Sequence, residues 1–475
     1  MPQGPPPYAR LVDIDTARLL ITDEGARALE RAAELPDPDS LSAGERMRRE
    51  FSPELSAAAL TQIGLRARAR AKLGVRAELM LWTPDAVEQA TRARVSAWRA
   101  ERLRRAGITT VVDIGCGAGA DALAFLDAGI SVVGVEIDPA TAVLARRNLQ
   151  QVASGMVDEA HGDGPSSRVV TGDGVDMAEE LIGQADGKVC VFLDPARRTA
   201  RGRSWRVRDM SPSWHFVVAQ LASDHACCVK LGPGFPRELL PEGADAVWVS
   251  DGADLVECSL WNPSATASGS DADHTDATDN GPSDTTTAQP QGAVPGQSDA
   301  GVVQPVGKSQ TGGARSAVLL PAGIQVFADP SSAELEVMNP GRYVYEPDPA
   351  VSRAGAYRSI AGGGSGNELR PLWRLAPGVG YLSSDELFAT PLASVFEVIE
   401  VLDYQLTSLK KWIRANEIGT LEIKKRAVDI DPAALRKQLR PRGANSATLM
   451  ITPTTHGVRA LVVRRLRDTP DSALN

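Results

Sequence analysis

Residues 111–119 read VVDIGCGAG and join a short apolar run to a loop rich in glycine. The apolar run has the composition of a buried strand, and DALAFLDAG, which follows, has the apolar spacing of a helix. Glycines at such a turn let the backbone approach a ligand closely, and the N-terminus of the next helix presents free backbone amides. The stretch therefore predicts a strand–loop–helix unit whose loop binds a ligand.

The same alternation of strand and helix continues along the chain. Further apolar runs are SVVGVEID, SRVVTGD, VCVFLDP, ACCVKLGPG and DLVECSLW, and most are separated by segments of helical length. Near-continuous apolar strands joined by helical crossovers are typical of a parallel sheet that is covered on both faces. We therefore predict an α/β fold with a Rossmann-like sheet over residues 106–261.

The regions on either side of this sheet have a different composition. Residues 1–105 are rich in Ala, Leu and Arg at helical spacing, which predicts an N-terminal helical region in which Thr83 is an N-cap and Pro84 follows in the first turn. Residues 262–313 contain no Leu, Ile, Met or aromatic residue, so we expect a disordered insertion. It would lie at the tip of a hairpin in which DLVECSLW pairs with the last strand of the sheet, residues 314–322.

A second folded unit is predicted at the C-terminus. Residues 323–390 are rich in Gly and Pro and read as a connecting region. Residues 391–468 then follow the order βαβαββ, with one helix ended by Gly419 and another capped by Asp431. This order predicts a small α+β domain of the ferredoxin-like kind.

Composition narrows the class of protein. The chain has 475 residues, of which 43% are hydrophobic and 23% charged, as in ordinary globular proteins. No apolar run approaches the ~20 residues of a bilayer span, and the N-terminus lacks the pattern of a signal peptide. The five cysteines lie mostly in apolar runs without metal-ligand spacing, so we expect buried, reduced thiols, no metal and a cytoplasmic protein.

The net charge of −9 is unevenly distributed. Residues 404–475 carry 14 Lys and Arg against 6 Asp and Glu, and residues 43–105 carry 14 against 7. Any single basic residue is accounted for by an ordinary solvated surface. Two basic regions around an acidic middle nevertheless favour a polyanionic partner.

The glycine loop is compatible with two cofactors. Gly115 and Gly117, together with Ala120, match the dinucleotide fingerprint GxGxxG/A, in which Glu136 could hold the ribose of NAD. Asp113 precedes the first glycine by two residues and would repel a pyrophosphate. A carboxylate there suits the ammonium and sulfonium groups of S-adenosylmethionine (SAM), so Asp113 favours SAM over NAD.

Three further strand ends carry polar groups. The second strand ends in Glu136-Ile137, where a carboxylate could accept from a ribose diol, and the third ends at Asp173, which could accept from the adenine amino group. The fourth ends in the segment DPARR, residues 194–198. Because the carboxyl ends of parallel strands meet at the same edge of a sheet, these groups should share one site.

With these motifs in register, residues 108–260 resemble a class I SAM-dependent methyltransferase. The resemblance implies SAM as the cofactor and a set of cofactor-binding residues: Asp113, Gly115, Gly117, Gly119, Glu136, Ile137 and Asp173. It also implies that DPAR is the catalytic-strand motif, with Asp194, Pro195 and Arg197 as candidate catalytic residues.

The DPAR motif departs from the pattern of amine methyltransferases, since Ala196 and Arg197 replace the second proline and the aromatic residue. Asp194 could still orient an amine or take its proton. Arg197 could stack on a base or pair with a phosphate.

The whole arrangement is similar to a bacterial group of SAM-dependent methyltransferases with a C-terminal THUMP-like domain. The segment LEIKKRAVDIDPAALRKQLRPRGANSATLMIT carries this likeness. True THUMP domains accompany RNA-modifying enzymes, so the resemblance implies an RNA substrate, for which the candidate contacts are Arg198, Lys424, Lys425 and Arg426. Residues 66–94, with LWTP at 81–84, also faintly resemble the segment before the methyltransferase domain in trimethylguanosine synthases, which methylate a guanine amino group.

Three hypotheses about function remain open at this point. The first is SAM-dependent methylation of an RNA base, with nitrogen favoured as the acceptor. The second directs the same chemistry to a small molecule or a protein, and the third is a non-catalytic module that binds SAM and RNA. Cys227 and Cys228 could serve as nucleophiles, but their apolar setting favours a packing role.

Overall fold

The computed structural model describes residues 12–156, 164–197, 207–265, 313–328, 335–362 and 370–466. The chain divides into two compact units, one made of residues 1–245 and 257–299 and the other of residues 246–256 and 300–475. Almost all of the predicted insertion, residues 262–313, lies outside the described residues.

Helices precede the first strand, as predicted. They are α1 Ile14–Leu20, α2 Asp23–Ala33, α3 Leu41–Met47, α4 Pro53–Leu73, α5 Pro84–Gln89 and α6 Ala93–Arg105, with a 3-10 turn at Gly74–Glu78. Thr83 caps α5 and Pro84 begins it, which confirms that expectation. Helical structure does not run unbroken from Pro84 to Arg105. Ala90, at φ −53° and ψ 131°, ends α5, and the Thr91 hydroxyl that follows donates to Oδ2 of Asp121 at 2.7 Å.

The predicted α/β sheet forms; its strands up to residue 231 and its residues 257–261 lie in the first unit, and residues 246–256 belong to the second. Its elements are β1 Thr110–Ile114, α7 Ala120–Asp127, β2 Ser131–Glu136, α8 Pro139–Met156, β3 Ser167–Thr171, α9 Gly174–Gln184, β4 Val189–Leu193, β5 Ala196–Arg197, β6 Met210–Ser211, α10 Trp214–Leu221, β7 Ala226–Leu231, β8 Asp245–Asp251 and β9 Asp254–Trp261. Strands β3, β2, β1, β4 and β7 are parallel neighbours in that order, and Cys258–Trp261 of β9 pairs antiparallel with β7. The short strands β5 and β6 pair with each other.

The hairpin expected between DLVECSLW and RSAVLLPAG is wrong. The second segment forms β10 Arg315–Leu320, which pairs in parallel with β8 and antiparallel with β11 Ile324–Phe327. Strand β8 was not among the predicted strands, although its residues 246–249 are all buried. An apolar run that is buried on both faces fits best inside a sheet. Strand β8 therefore pairs with β10, where β9 was expected.

The C-terminal order βαβαββ is confirmed. It consists of β15 Ala393–Asp403, α13 Leu406–Ala415, β16 Ile418–Lys425, α14 Pro432–Leu439, β17 Asn445–Thr454 and β18 Gly457–Arg465, preceded by β12 Tyr343–Pro347, α11 Pro349–Ala354, α12 Arg358–Ala361, β13 Trp373–Arg374 and β14 Leu382–Ser384. Asp431 caps α14, as expected. Helix α13 ends earlier than predicted, at Ala415, and Gly419 lies within β16.

The segment predicted as a connecting region takes part in this second sheet. The strand order is β13-β14-β12-β15-β18-β17-β16, so three strands from residues 323–390 extend the four of the βαβαββ domain. Leu409 and Ile413 of α13 and Leu435 and Leu439 of α14 are buried in one apolar core with β16 and β17. None of the described helices is long and apolar enough to cross a membrane.

The N-terminal helices have an apolar core of their own within the first unit. Leu20, Leu29 and Met47 are buried in it, and Ala140 and Leu144 of α8 belong to the same core. The helical region therefore packs directly on α8, the helix that begins at Pro139, two residues after Ile137.

Candidate cofactor site

The glycine loop lies between β1 and α7. Gly115, Gly117 and Gly119 have φ angles of 81°, 55° and 84°, in the left-handed region that glycine adopts without strain. Side-chain atoms at Gly115 or Gly117 would meet no neighbour within 4 Å. The backbone conformation rather than crowding therefore calls for glycine at these two positions, and the space beside them is open.

Glu136 ties the end of β2 to this loop. Its Oε2 accepts a hydrogen bond from the backbone N–H of Gly117 at 3.0 Å, and its Oε1 accepts from the N–H of Asp138 at 2.9 Å. Burial raises the pKa of this carboxyl, which the two backbone donors oppose. Each oxygen has a further lone pair, so a diol could still donate to Glu136.

The next two predicted residues lie at neighbouring strand ends. Ile137 is 66% exposed, which is unusual for a large apolar side chain and would allow it to cover a flat ring. Asp173 is exposed and caps α9, where its Oδ1 accepts from the N–H of Val175 at 2.9 Å. Since Glu136 pairs with Thr171 in the sheet, these side chains share one edge.

Asp113 is buried in β1 with 1% of its surface exposed, and its Oδ1 has no hydrogen-bond partner. Burial raises the pKa of this carboxyl well above its usual range, and the charges of Asp121 and Asp194 raise it further. A buried polar atom without a partner costs free energy, which a cationic ligand would recover. This orphaned oxygen fits a ligand that carries an ammonium group.

Asp113 is part of a larger group that we call the acidic cluster, formed by Asp113, Asp121, Asp194 and Glu257 with the cations Arg99 and Lys230. The guanidinium of Arg99 is fully buried and donates to both Asp121 and Glu257. Lys230 donates to Oδ2 of Asp194 and lies 3.6 Å from Oδ2 of Asp121. Four carboxyl groups thus surround two basic groups, an imbalance that favours a positively charged ligand.

The nearby cations lower the pKa of one buried carboxyl of the acidic cluster but not that of another. Burial would raise the pKa of Asp121, but Arg99 and Lys230 outweigh it and lower that pKa. Burial raises the pKa of Glu257 in spite of Arg99. Burial opposes the charge of Lys230, yet Asp194 and Asp121 raise the pKa of its ammonium group, which therefore stays charged.

The structure places the catalytic-strand motif in part. Asp194 follows β4 with 30% of its side chain exposed, and Pro195 is partly exposed beside it. The backbone of Arg197 pairs with Met210 in the short β5–β6 ladder. Arg198 lies outside the described residues. Within DPARR, only the side chains of Asp194 and Pro195 are described.

Arg99, Asp121, Lys230 and Glu257 were not among the predicted site residues. Lys230 and Glu257 left a usable signal, because each is a charged residue inside an otherwise apolar strand, ACCVKLGPG and DLVECSLW. Arg99 left none, since α6 also carries several exposed arginines at similar spacing.

Asn148 of α8 is a further residue that the sequence did not reveal. Its Nδ2 donates to the carbonyls of Ala118 at 2.9 Å and Leu81 at 3.0 Å, and its Oδ1 accepts from the N–H of Leu81 at 2.8 Å. One buried side chain thus ties the glycine loop to the LWTP segment. Trp82 of that segment is fully buried and donates to the carbonyl of Ala77, so it is a packing residue.

Lys424 and Lys425 of β16 and Arg426, which follows it, lie in the second unit. Lys424 donates to Glu346 at 2.7 Å, and Arg426 donates to the carbonyl of Gly380 at 3.0 Å. Lys425 is exposed and donates to the carbonyl of Ile430. Two of the three side chains therefore hold residues 335–390 against β16.

Two further expectations concern the cysteines and metal ions. All five cysteines are buried and none forms a disulfide, and burial raises the pKa of the Cys227 and Cys228 thiols well above the usual range, which disfavours a nucleophilic role. No group of three or more His, Cys, Asp or Glu side chains within the described ranges could hold a metal ion.

This site does not suit a dinucleotide, because the acidic cluster would face the pyrophosphate. Together with the fold, it defines a class I SAM-dependent methyltransferase. An uncharacterized SAM-dependent methyltransferase of Mycobacterium tuberculosis, found in two strains, is 31% identical over 398 residues, which cover 82% of this chain and 90% of the relative. The chain therefore belongs to the SAM-dependent methyltransferases, and SAM is its cofactor, as the resemblance predicted.

Two family models match parts of the chain, and one solved structure shares its fold. Residues 393–465 match the THUMP domain-like family, which confirms the predicted C-terminal domain, and residues 13–69 match a domain of unknown function. A crystal structure from Porphyromonas gingivalis W83, assigned as a methyltransferase, is 21% identical with a TM-score of 0.69. It covers 96% of this chain and is itself covered completely, which shows a shared fold.

Proposed function

We propose that this methyltransferase acts on RNA in the cytoplasm and methylates a base, with nitrogen as the acceptor atom. The observation that carries the RNA substrate is the THUMP-like match over residues 393–465, in a domain with an exposed basic surface. Five buried cysteines without a disulfide agree with a reducing compartment.

The carboxylates at the sheet edge would accept hydrogen bonds from the donor groups that SAM carries. We assign the ammonium group to Asp113 and the ribose diol to Glu136, while Ile137 and Asp173 would hold the adenine ring. Gly115 and Gly117 leave room for the ligand at the backbone, and Gly119 gives the loop the left-handed backbone that it needs before α7. Once bound, SAM supplies an activated methyl group on a cationic sulfur, so the protein has mainly to align an acceptor with it.

Asp194 is the residue that we assign to the acceptor. Lys230 holds its Oδ2, which fixes the orientation of the carboxylate, and Oδ1 remains available to accept from an amine. As the amine attacks, its surplus proton would pass to Asp194 or to solvent. The carbonyl of Pro195 and the guanidinium of Arg197 would hold the base in place.

For RNA docking, the residues after α14 are better placed than those of β16. Lys424, Lys425 and Arg426 already have acceptors within their own unit, and Arg198 lies outside the described residues. Lys437, Arg440 and Arg442 are exposed on and after α14. Exposed cations of this kind contact phosphates and position an RNA without reading its sequence.

The test is methyl transfer from labelled SAM to total bacterial RNA, followed by mass spectrometry of the nucleosides. A methylated base that appears with the wild-type protein and is lost with Asp194→Ala, while S-adenosylhomocysteine still binds, would support the proposal. Label in protein or in small molecules but not in RNA would support the second hypothesis instead. Absence of transfer to any acceptor, with RNA still bound, would support a non-catalytic module.

A further inference from the structure

A cavity in the first unit lies away from the cofactor loop. It has a volume of about 760 Å³ and is lined by α1, α2 and α4, the 3-10 turn and the far part of α8. Arg147 on its wall is eight residues beyond Pro139, the start of α8, which is roughly 12 Å along the helix axis. The cavity is therefore separate from the candidate SAM site, and its volume is typical of small-ligand sites.

Two half-buried guanidinium groups face this cavity. Arg66 donates from Nε to the carbonyl of Met80 at 2.9 Å, and Arg147 donates to Oε1 of Gln151 at 2.6 Å. Neither forms an ion pair with a carboxylate of the described residues. The nearby Glu78 instead pairs with Arg70 at 2.6 Å. Burial and the neighbouring charge of Arg147 lower the pKa of Arg66, and the negative charge of Glu78 only partly opposes them.

The remaining walls are apolar, with carboxylates among them. Leu79 is 56% exposed and Ile21 is 40% exposed, although both are large apolar side chains. Asp23 and Glu30 also line the cavity and are exposed. A single ligand could satisfy all of these groups. Its anionic group would lie between Arg66 and Arg147, its flat ring would pack on Leu79, and its N–H groups would donate to the carboxylates.

We propose that this cavity binds a nucleotide, with its phosphate at Arg66 and Arg147 and its base against Leu79. The nucleotide is either part of the RNA substrate or free in solution, and the first source rests on the function proposed above. The cavity then gives a role to the N-terminal helices, which hold one nucleotide while the sheet edge acts on another.

The test measures the binding of two probes to the full chain: a labelled single-stranded RNA of mixed sequence and the four nucleoside 5′-monophosphates. The variants are Arg66→Met, Arg147→Met and the double substitution. Arg68→Met is the matched control, because Arg68 is exposed on the same helix and does not line the cavity. Binding of S-adenosylhomocysteine checks that each variant is folded.

Each single substitution should weaken binding of the phosphate-bearing probe about tenfold, since it removes a charged donor to phosphate. The control should bind as the wild type does. Ala67→Trp would narrow the cavity without changing its charge and should also weaken binding. It keeps the proposal testable if the arginine variants unfold.

The outcomes separate this proposal from the proposed function. If the cavity variants lose RNA binding while Arg68→Met keeps it, the result supports a nucleotide of the RNA as the occupant. Loss of monophosphate binding, with no RNA bound by the wild type, supports a free nucleotide and overturns the RNA function. Unchanged binding of both probes in the double variant and in Ala67→Trp overturns the cavity proposal and leaves the RNA function intact, whereas a wild type that binds neither probe overturns both.

Discussion

Lys230 and Asp194 form an ion pair across two neighbouring strand ends, in which Nζ of Lys230 donates to Oδ2 of Asp194. Strands β4 and β7 run in parallel beside each other, so the pair closes the carboxyl edge of the sheet next to the glycine loop. The Lys230 side chain is 14% exposed and that of Asp194 is 30% exposed. A fixed cation thus orients Asp194, the most exposed carboxylate of the acidic cluster.

This ion pair predicts that Lys230→Met destabilises the protein. Removal of one partner of a fully buried pair costs roughly 3–5 kcal/mol, and we expect about 2 kcal/mol here because Asp194 is partly exposed. The measurement is the free energy of unfolding in urea. Lys411→Met, on the exposed face of α13, is the control and should change it by less than about 0.5 kcal/mol. Equal effects of the two substitutions would show that the pair contributes nothing.

A second prediction concerns Asp113 and cofactor affinity. Asp113→Asn removes the charge that we assign to the ammonium group, so S-adenosylhomocysteine should bind at least about tenfold more weakly. The affinity of the wild type should also rise with pH, because the raised pKa of Asp113 leaves the carboxyl protonated in the free protein at low pH. The affinity of Asp113→Asn should lack this dependence. Calorimetric titration across the pH range measures both quantities.

The same raised pKa makes a prediction about stability without ligand. A carboxyl whose pKa is higher in the folded state stabilises the protein below its ordinary pKa, 3.8 for Asp, and loses that contribution as the pH rises through the folded-state value. Asp113→Asn cannot ionise, so it should be more stable than the wild type at high pH and similar at low pH. A thermal unfolding temperature that falls in the variant at high pH would contradict this account.

Arg99 offers a test of the buried half of the acidic cluster. Arg99→Met leaves Asp121 and Glu257 without their shared partner, and loss of a fully buried cation should cost roughly 3–5 kcal/mol. Adding Glu257→Gln should restore part of the loss, because it removes one of the two stranded charges. Urea unfolding of the single and double variants measures this coupling. Arg105→Met, whose pair with Glu101 is exposed, is the control and should cost no more than about 1 kcal/mol.

Local sequence signals predicted the parts of the fold that depend on neighbouring residues. The caps Thr83 and Asp431 and the turn at Gly115 each follow from the needs of one short segment. The pairing of β10 with β8 could not be predicted in this way, because a strand's partner depends on which other apolar runs are buried. Most of the strands were therefore predictable from their own residues, whereas the partner of β10 was not.

The candidate site divides along the same line. Asp113 and Glu136 were predictable because each follows or precedes a recognisable turn. The bond between Arg99 and Glu257 joins residues 158 positions apart, and Arg99 resembles its exposed neighbours in sequence. Likewise, Glu346 lies 78 positions from Lys424, so nothing near Lys424 indicated that its ammonium group already had an acceptor.

The last prediction contrasts two glycines. A Cβ at Gly419 of β16 would lie 1.9 Å from the carbonyl oxygen of Gly443, and this neighbour is backbone that cannot rotate away. A Cβ at Gly64 of α4 would meet nothing within 4 Å. Gly419→Ala should therefore destabilise the second unit by about 3 kcal/mol or more, whereas Gly64→Ala should stabilise its helix by roughly 0.5–1 kcal/mol.

Hydrogen exchange distinguishes these effects, because it reports on each unit separately. Gly419→Ala should increase exchange at the amides of β16 and β17, and Gly64→Ala should slow exchange along α4. A Cβ at Gly443 would likewise lie 1.9 Å from the carbonyl oxygen of Glu417. Gly443→Ala should therefore reproduce the effect of Gly419→Ala. If either substitution left exchange in β16 unchanged, the close approach of the two backbone segments would not be required for the stability of the THUMP-like domain.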